Sequence, residues 1–423
     1  LKEVVPYPEP HRRTVFFVIC VVYFFVYFHR VSTSVIASDL LDAFHTNATA
    51  LGFMSSMYFY LYAVEQPLVG HLADRINPLK VISFWSLLAA AGCFIFGMAP
   101  NIGWASVGRA LIGFGVGGVY VPAIKAISLW FKTKEFSTMI GLLMSVGNFG
   151  AVIATTPLAW AADSWGWRAT FFLIGAITLG LAGIVWLFTR NGASLREPVS
   201  PETPGSSGIP PDSRAKASRI LGSRQFWTIS IIFFGTYGTL VTLQGLWATP
   251  FLMTVFGIER IFASKLNMLI PAGVIIGAPL LGWIADRFSL NKGNTLIAIL
   301  SAYTLSWIGI IFFYSELGIV GLSLNMMVMG VATGGFISTL WGIVREITPA
   351  EMMGLTSGIL NPAPFLGVAA FQVLTGAILD RTERTGDLYA LSGFKIAFSA
   401  CLIGIVICLV LSFFLRTRKV DVV

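Results

Sequence analysis

The sequence predicts an all-α membrane protein of twelve transmembrane helices arranged as two pseudo-symmetric six-helix bundles. Three observations predict it. The chain of 423 residues is 56% hydrophobic and only 11% charged, whereas soluble domains carry about 25% charged residues. Its apolar residues fall in long uncharged runs, each near the roughly 20 residues that a helix needs to cross a bilayer. One loop motif occurs twice, 212 residues apart, about half the length of the chain, as duplication of a bundle would leave it.

The apolar runs place spans near 14–40, 50–71, 80–98, 103–127, 136–161, 169–189, 227–256, 262–285, 293–314, 317–343, 353–378 and 394–415. The stretch 191–224 is rich in Pro, Ser, Gly and charge, which reads as a flexible linker. It divides the chain into an amino-terminal bundle, 1–190, and a carboxy-terminal bundle, 225–423. Arg12 and Arg13 lead into an apolar stretch too long for the core of a signal peptide. The net charge of +8 is explained by topology. With the N-terminus inside, 19 of the 28 Lys and Arg fall on the cytoplasmic side and 6 on the other, the asymmetry expected of inner loops. Both termini are therefore expected in the cytoplasm of a bacterial inner membrane, and no nucleic-acid partner is needed. Cys20, Cys93, Cys401 and Cys408 lie in apolar stretches without metal or disulfide spacing. No metal site and no cofactor is expected, and the chain is expected to be a monomer in lipid.

The duplicated motif reads Gly70-His71-Leu72-Ala73-Asp74-Arg75 after span 2 and Gly282-Trp283-Ile284-Ala285-Asp286-Arg287 after span 8, with Lys80 and Lys292 beyond. A small Gly lets two helix ends approach, and an Asp beside an Arg can cap a neighbouring helix and pair across the loop. These residues are the expected conformational latch on the cytoplasmic side. The loop resembles the signature Gly-x-Leu-Ala-Asp-Arg-x-Gly-Arg-Lys of the major facilitator superfamily, with Asn77 and Pro78 in place of its Gly-Arg. Arg109, followed by Gly113, Gly115, Gly117 and Gly118 in span 4, is similar to the second motif of that family and joins the latch residues. Gly113-x-x-x-Gly117 also reads as a close-packed helix pair. The resemblance covers all twelve spans and implies alternating access, with the two halves rocking around a midplane substrate site.

Span 5 lacks the Gly-Pro-x-x-Gly-Gly signature of drug/proton antiporters. Tyr27-Phe28-His29-Arg30-Val31-Ser32 in span 1 resembles the Tyr-x-Asp-Arg-x-x-x-Ser segment of the anion:cation symporters. His29 stands where that branch often has Asp, and Gly117 where its span 4 tends to carry Glu.

Charges within spans cost at least about 2.5 to 3.5 kcal/mol near the bilayer centre, so each is a functional candidate. Here they are Arg30, Glu65, Arg109 and Lys125, with Asp39 at an edge, all in the first half. Tyr23, Tyr27, Arg30 and Ser34 share one face of span 1, and a buried guanidinium offers forked donors to a carboxylate or phosphate. Arg30 is thus the candidate anion anchor or, alternatively, an Arg tied to backbone carbonyls for structure. Glu65, the acidic group within the spans, is the leading proton-coupling candidate. His29, about 100 degrees round the helix from Arg30, is either a proton-sensitive switch or a packed neutral His. Lys125 either pairs with Glu65 or snorkels to the interface. In span 7, Gly and Pro interrupt the helix at Gln244-Gly245-Leu246-Trp247-Ala248-Thr249-Pro250, and repeat symmetry predicts that Gln244 and Trp247 face Arg30; packing between helices is the alternative. Tyr120, Tyr237, Asn325 and Asn361 complete the candidate substrate contacts.

The expected function is secondary active transport of a small organic anion such as a carboxylate, by proton-coupled symport. An amino-acid or other zwitterion transporter, with Arg30 for the carboxylate and Glu65 for the amine, is the alternative, as is efflux of drugs or siderophores. An enzyme is not expected, because no His, Asp and Cys cluster stands at a membrane face.

Overall fold

The computed structural model describes residues 9–131, 133–190, 221–287, 291–348, 353–385 and 388–415. Among them, ten helices are long and apolar enough to cross a membrane, and a bent pair makes an eleventh. The twelfth span is α3 (Ala48–Arg75), whose Ser55, Ser56, Tyr58, Tyr62, Glu65 and Gln66 dilute its apolar character. That dilution is the trace of the site it carries.

The first half runs α1 (Glu9–Val35), α2 (Ala37–Ala43), α3, α4 (Pro78–Met98), α5 (Ile102–Trp130), α6 (Thr133–Ile153), α7 (Thr156–Trp165) and α8 (Trp167–Arg190). The second runs α9 (Arg224–Thr242), a π-helical turn (Leu243–Trp247), α10 (Ala248–Phe256), α11 (Arg260–Asn267), α12 (Leu269–Arg287), α13 (Lys292–Phe312), α14 (Tyr314–Ile347), α15 (Met353–Leu360), α16 (Pro362–Leu379) and α17 (Leu391–Ser412). The expected linker lies for most of its length outside the described residues. A two-residue antiparallel pair, Arg384–Thr385 with Leu388–Tyr389, interrupts the otherwise helical chain before α17.

The duplication is visible in packing. In the first half α1 lies on α6, α3 on α5, and α4 on both α5 and α8; in the second, α9 lies on α16, α12 on α14, and α13 on both α14 and α17. The halves meet through α3 with α16, α6 with α12, and α1 with the π-helical turn. Glycines permit the closest approaches. A Cβ on Gly113 would strike the backbone of Tyr58 in α3, and one on Gly115 would strike Ala89 in α4, so α5 seats two neighbours at backbone distance.

Several expected continuous spans are broken, each where backbone chemistry demands it. The fifth bends by 42° between α6 and α7, because Pro157 at the start of α7 lacks an N–H and its ring excludes the carbonyl one turn back. The eleventh breaks at Asn361, ahead of Pro362. The first ends at Val35 and resumes as the short α2, and in the tenth Gly318 adopts φ 57°, a left-handed conformation open to glycine.

The halves are fastened at the face that charge counting predicts to be external. Arg260 of the second half pairs with both Asp39 and Asp163 of the first. Asp380, at the end of α16, accepts hydrogen bonds from the backbone N–H groups of Ala48 and Thr49 at 2.7 Å each, and from the Thr49 hydroxyl. Tyr389 donates to the same carboxylate at 2.9 Å and accepts from the Ala48 N–H at 2.7 Å. The first N–H groups of a helix have no partner within it, and here the opposite half supplies one. Ser34 donates to Thr249 at 3.3 Å between them.

Candidate substrate site

Arg30 stands in α1 with its side chain enclosed by rings from both halves. Nη1 donates to the Tyr237 hydroxyl and Nη2 to the Tyr62 hydroxyl, each at 3.2 Å. Its guanidinium carbon lies 4.3 Å from the centre of the Tyr27 ring and 5.2 Å from those of Tyr62 and Phe365, distances at which ring faces attract a cation. Nε is buried and makes no hydrogen bond. Among the described residues no carboxylate pairs with it. Tyr62 and Tyr237 both pack on Phe365, with ring centres 4.4 and 5.9 Å apart.

The expected stripe on α1 continues this wall. Tyr23 meets Tyr27 edge to face and stacks on Tyr120, at 5.5 Å in each case. The Tyr23 and Tyr27 hydroxyls point at the Met144 sulfur, 3.4 and 3.9 Å away. Gly147 leaves room for both rings, since a Cβ there would come within 3.0 Å of each. Tyr27, Tyr120, Met144, Tyr237 and Asn361 remain half-buried, so parts of this inward-turned wall stay open.

Glu65, one turn along α3 from Tyr62, is 2% exposed. Its Oε2 accepts a hydrogen bond from the Trp85 indole at 2.8 Å, while Oε1 is buried and makes none. The carboxylate occupies the space a side chain at Gly117 would need, so the glycine of α5 and the acid of α3 are complementary. Beside it, Gln66 donates to the carbonyls of Tyr62 (3.1 Å) and Gly117 (3.5 Å) and accepts from Asn361 of the other half at 3.3 Å.

Other candidates lie elsewhere. Lys125 shares the α5 stripe Gly117–Val121–Lys125 and is half-buried; the Glu65 carboxylate has Trp85, not Lys125, as its hydrogen-bond partner. His29 is fully buried among Phe25, Phe28 and Phe171, with Nε2 3.7 Å from the Cys93 sulfur. Arg109 stands at no membrane face. It is fully buried and donates to the His29 carbonyl at 3.0 Å and the Ser32 hydroxyl at 3.5 Å, with the Tyr58 ring 5.1 Å away. It clasps α5 to α1.

Trp247 does not face Arg30. Trp247 donates to Thr375 at 2.8 Å and packs on Phe394, and the Gln244 carbonyl accepts from Asn267 at 3.0 Å. The π-helical turn that contains them inserts a residue into the helical register, rotating the rest of the span by about 100°. Gly245 lies against the Arg30 backbone carbonyl instead, and Tyr237, two turns earlier, reaches the guanidinium. Asn325 donates to the Ser306 carbonyl at 2.9 Å, between α13 and α14 and away from the cage. In the latch loops, Arg75 is exposed, and among the described residues a Cβ on Gly70 or Gly282 would meet nothing within 4 Å. The side chains of Asp74, Asp286 and Arg287 lie outside the described residues.

Sequence reasoning left Tyr62, Gln66, Trp85, Met144 and Phe365 out of the candidate site. The spacing Tyr58, Tyr62, Glu65, Gln66 along α3 is a polar stripe that marks two of them, whereas Met144 and Phe365 carry no such signal.

A duplicated bundle of membrane-spanning helices with a buried polar site between its halves is the build of a membrane transporter, and the comparisons agree. The family model of the Major Facilitator Superfamily matches residues 19–370, and the chain belongs to that family. It is similar to the probable sulfoacetate transporter of Cupriavidus necator, 23% identical over 393 residues that cover 90% of each chain. It is also similar to the hexuronate transporter of Escherichia coli K12, 23% identical over 373 residues and 84% of each. Among solved structures, it resembles a bacterial homologue of the human lysosomal transporter Spinster in an inward-facing, unoccupied conformation. That TM-score is 0.76, at 19% identity over 96% of this chain and 97% of that one. The D-xylose-proton symporter gives 0.69, at 12% identity over 96% and 98%. The protein is a multi-pass membrane transporter, not an enzyme.

Proposed function

We propose that this transporter carries a small organic anion into a bacterial cell by proton symport, binding the anion at Arg30. The observation that carries the reading is a guanidinium buried without a counter-charge. Burying an unpaired ion costs several kcal/mol, and the two tyrosine hydroxyls satisfy only part of its donor set of five N–H groups. An incoming carboxylate or sulfonate supplies both the missing charge and the missing acceptors. The names of the relatives, a sulfoacetate and a hexuronate transporter, support an anionic substrate. Because Glu65 bonds Trp85 within its own half rather than facing Arg30, an anion is favoured over a zwitterion that needs both groups.

Glu65 is the proposed proton carrier, with one carboxylate oxygen unpartnered. Halves 1–190 and 225–423 rock as units in an inner membrane with both termini cytoplasmic. The clamp of Arg260 and Asp380 holds the external face closed. The test is counterflow in proteoliposomes: an unlabelled carboxylate or sulfonate trapped inside should accelerate entry of its labelled form. Acceleration by neutral sugars alone would overturn the anion assignment.

A further inference from the structure

We propose that the anion is a planar monocarboxylate with an aromatic or conjugated body, an inference that rests on the Arg30 reading above. The cage presents one positive charge and a wall of rings. Of the other intramembrane cations, Arg109 is committed to the α1 backbone and the Ser32 hydroxyl. Lys125 lies on the stripe of Gly117 and Val121, which faces Glu65 and the Val69–Trp85 cluster. It stands five residues beyond Tyr120, about 140° round α5 from the face that meets Tyr23. Among the described residues, a dianion would therefore bring a second charge against rings with no cation to receive it.

The wall is also poor in groups for a sugar acid. A polyhydroxylated body needs a hydrogen-bond partner for each hydroxyl it takes out of water. Here Gln66 and Asn361 bond each other, and Asn148 bonds the Met144 carbonyl at 3.0 Å. The Tyr23 and Tyr27 hydroxyls are turned to a thioether, a weak acceptor. What is left is ring surface. Tyr27 lies over the guanidinium, Phe365 bridges Tyr62 and Tyr237 across the halves, and Tyr120 stacks on Tyr23. A flat π-body beside a carboxylate fits that wall by stacking, and the carboxylate takes the free edge of Arg30.

Titration calorimetry of the purified full chain with benzoate, glucuronate, galactarate and sulfoacetate tests this directly. Benzoate should bind at least tenfold more tightly than each of the other three. Phe365→Leu should weaken benzoate about fivefold while leaving glucuronate within twofold, and the ranking on the unaltered chain decides the matter even if that variant fails to fold. Equal or tighter binding of glucuronate, galactarate or sulfoacetate, lost in Arg30→Ala, would overturn the planar-monocarboxylate class while sparing the anchor. If none of the four binds, or Arg30→Ala binds benzoate normally, the anchor falls and the inference with it.

Discussion

Arg30 is held by two hydroxyls and three rings, none of which carries a charge. Removing it therefore removes an uncompensated buried ion, so Arg30→Ala should melt at or above the wild-type temperature. Its affinity for an anion should fall about tenfold to a hundredfold, the equivalent of a charged hydrogen bond of about 1.5 to 3 kcal/mol. Arg30→Lys keeps the charge but loses the planar fork, and should fall between the two. Calorimetry and melting on the same preparations separate binding from structure; near-normal affinity in a folded Arg30→Ala protein would sink the anchor. Glu65→Gln should abolish uptake driven by a pH gradient while substrate exchange continues, and unchanged pH-driven uptake would remove Glu65 from the coupling. The complementarity of Glu65 and Gly117 gives a second check. Gly117→Ala places a methyl on the carboxylate and should cost about 1 to 3 kcal/mol of stability. Adding Glu65→Ala should restore most of it, and no rescue would mean that the carboxylate is not what Gly117 accommodates.

Helix ends and breaks decide what each span presents. Asn47 caps α3 from within its own half, and Asp380 adds a second cap from the other half, so the bonds to the Ala48 and Thr49 N–H groups exist only while the halves are closed at that face. A cap of this kind contributes about 1 kcal/mol. Asp380→Ala should therefore open the external face by roughly fivefold in population, measured as faster labelling of a single cysteine introduced near Thr249. Slower labelling would contradict a clamp. The π-helical turn in the seventh span has the opposite character, since it turns Trp247 into the second half and leaves Gly245 against α1.

Across the whole molecule the two membrane faces compete. Arg260 bridges Asp39 and Asp163 at one face, and the loops at Asp74 and Asp286 are the proposed latch at the other. Arg260→Ala should raise external cysteine labelling, and Asp74→Asn should lower it by freeing the cytoplasmic face. Partly exposed ion pairs contribute up to about 1 kcal/mol each, so shifts of roughly two- to fivefold are expected, and the double variant should return toward wild type. Shifts in the same direction would remove the opposition between the faces.

The twelve spans, the duplication and the position of Arg30 were legible in the sequence because the bilayer imposes them locally. Every spanning helix must be long and apolar, and a charge inside one stands out against that background. The Tyr23–Tyr27–Arg30 stripe was readable for the same reason, as one face of one helix. The partners of that stripe depend on how separate helices are rotated against each other. One inserted residue in the π-helical turn swings Trp247 away, while the bend ahead of Pro157 and the break ahead of Pro362 redirect two more spans. Only tertiary packing brought Tyr62, Tyr237 and Phe365 around Arg30, set Glu65 on Trp85 over Gly117, and added to the local Asn47 cap of α3 a second one from Asp380. These contacts join residues 20 to more than 300 positions apart, and helical periodicity within a single span holds no information about them.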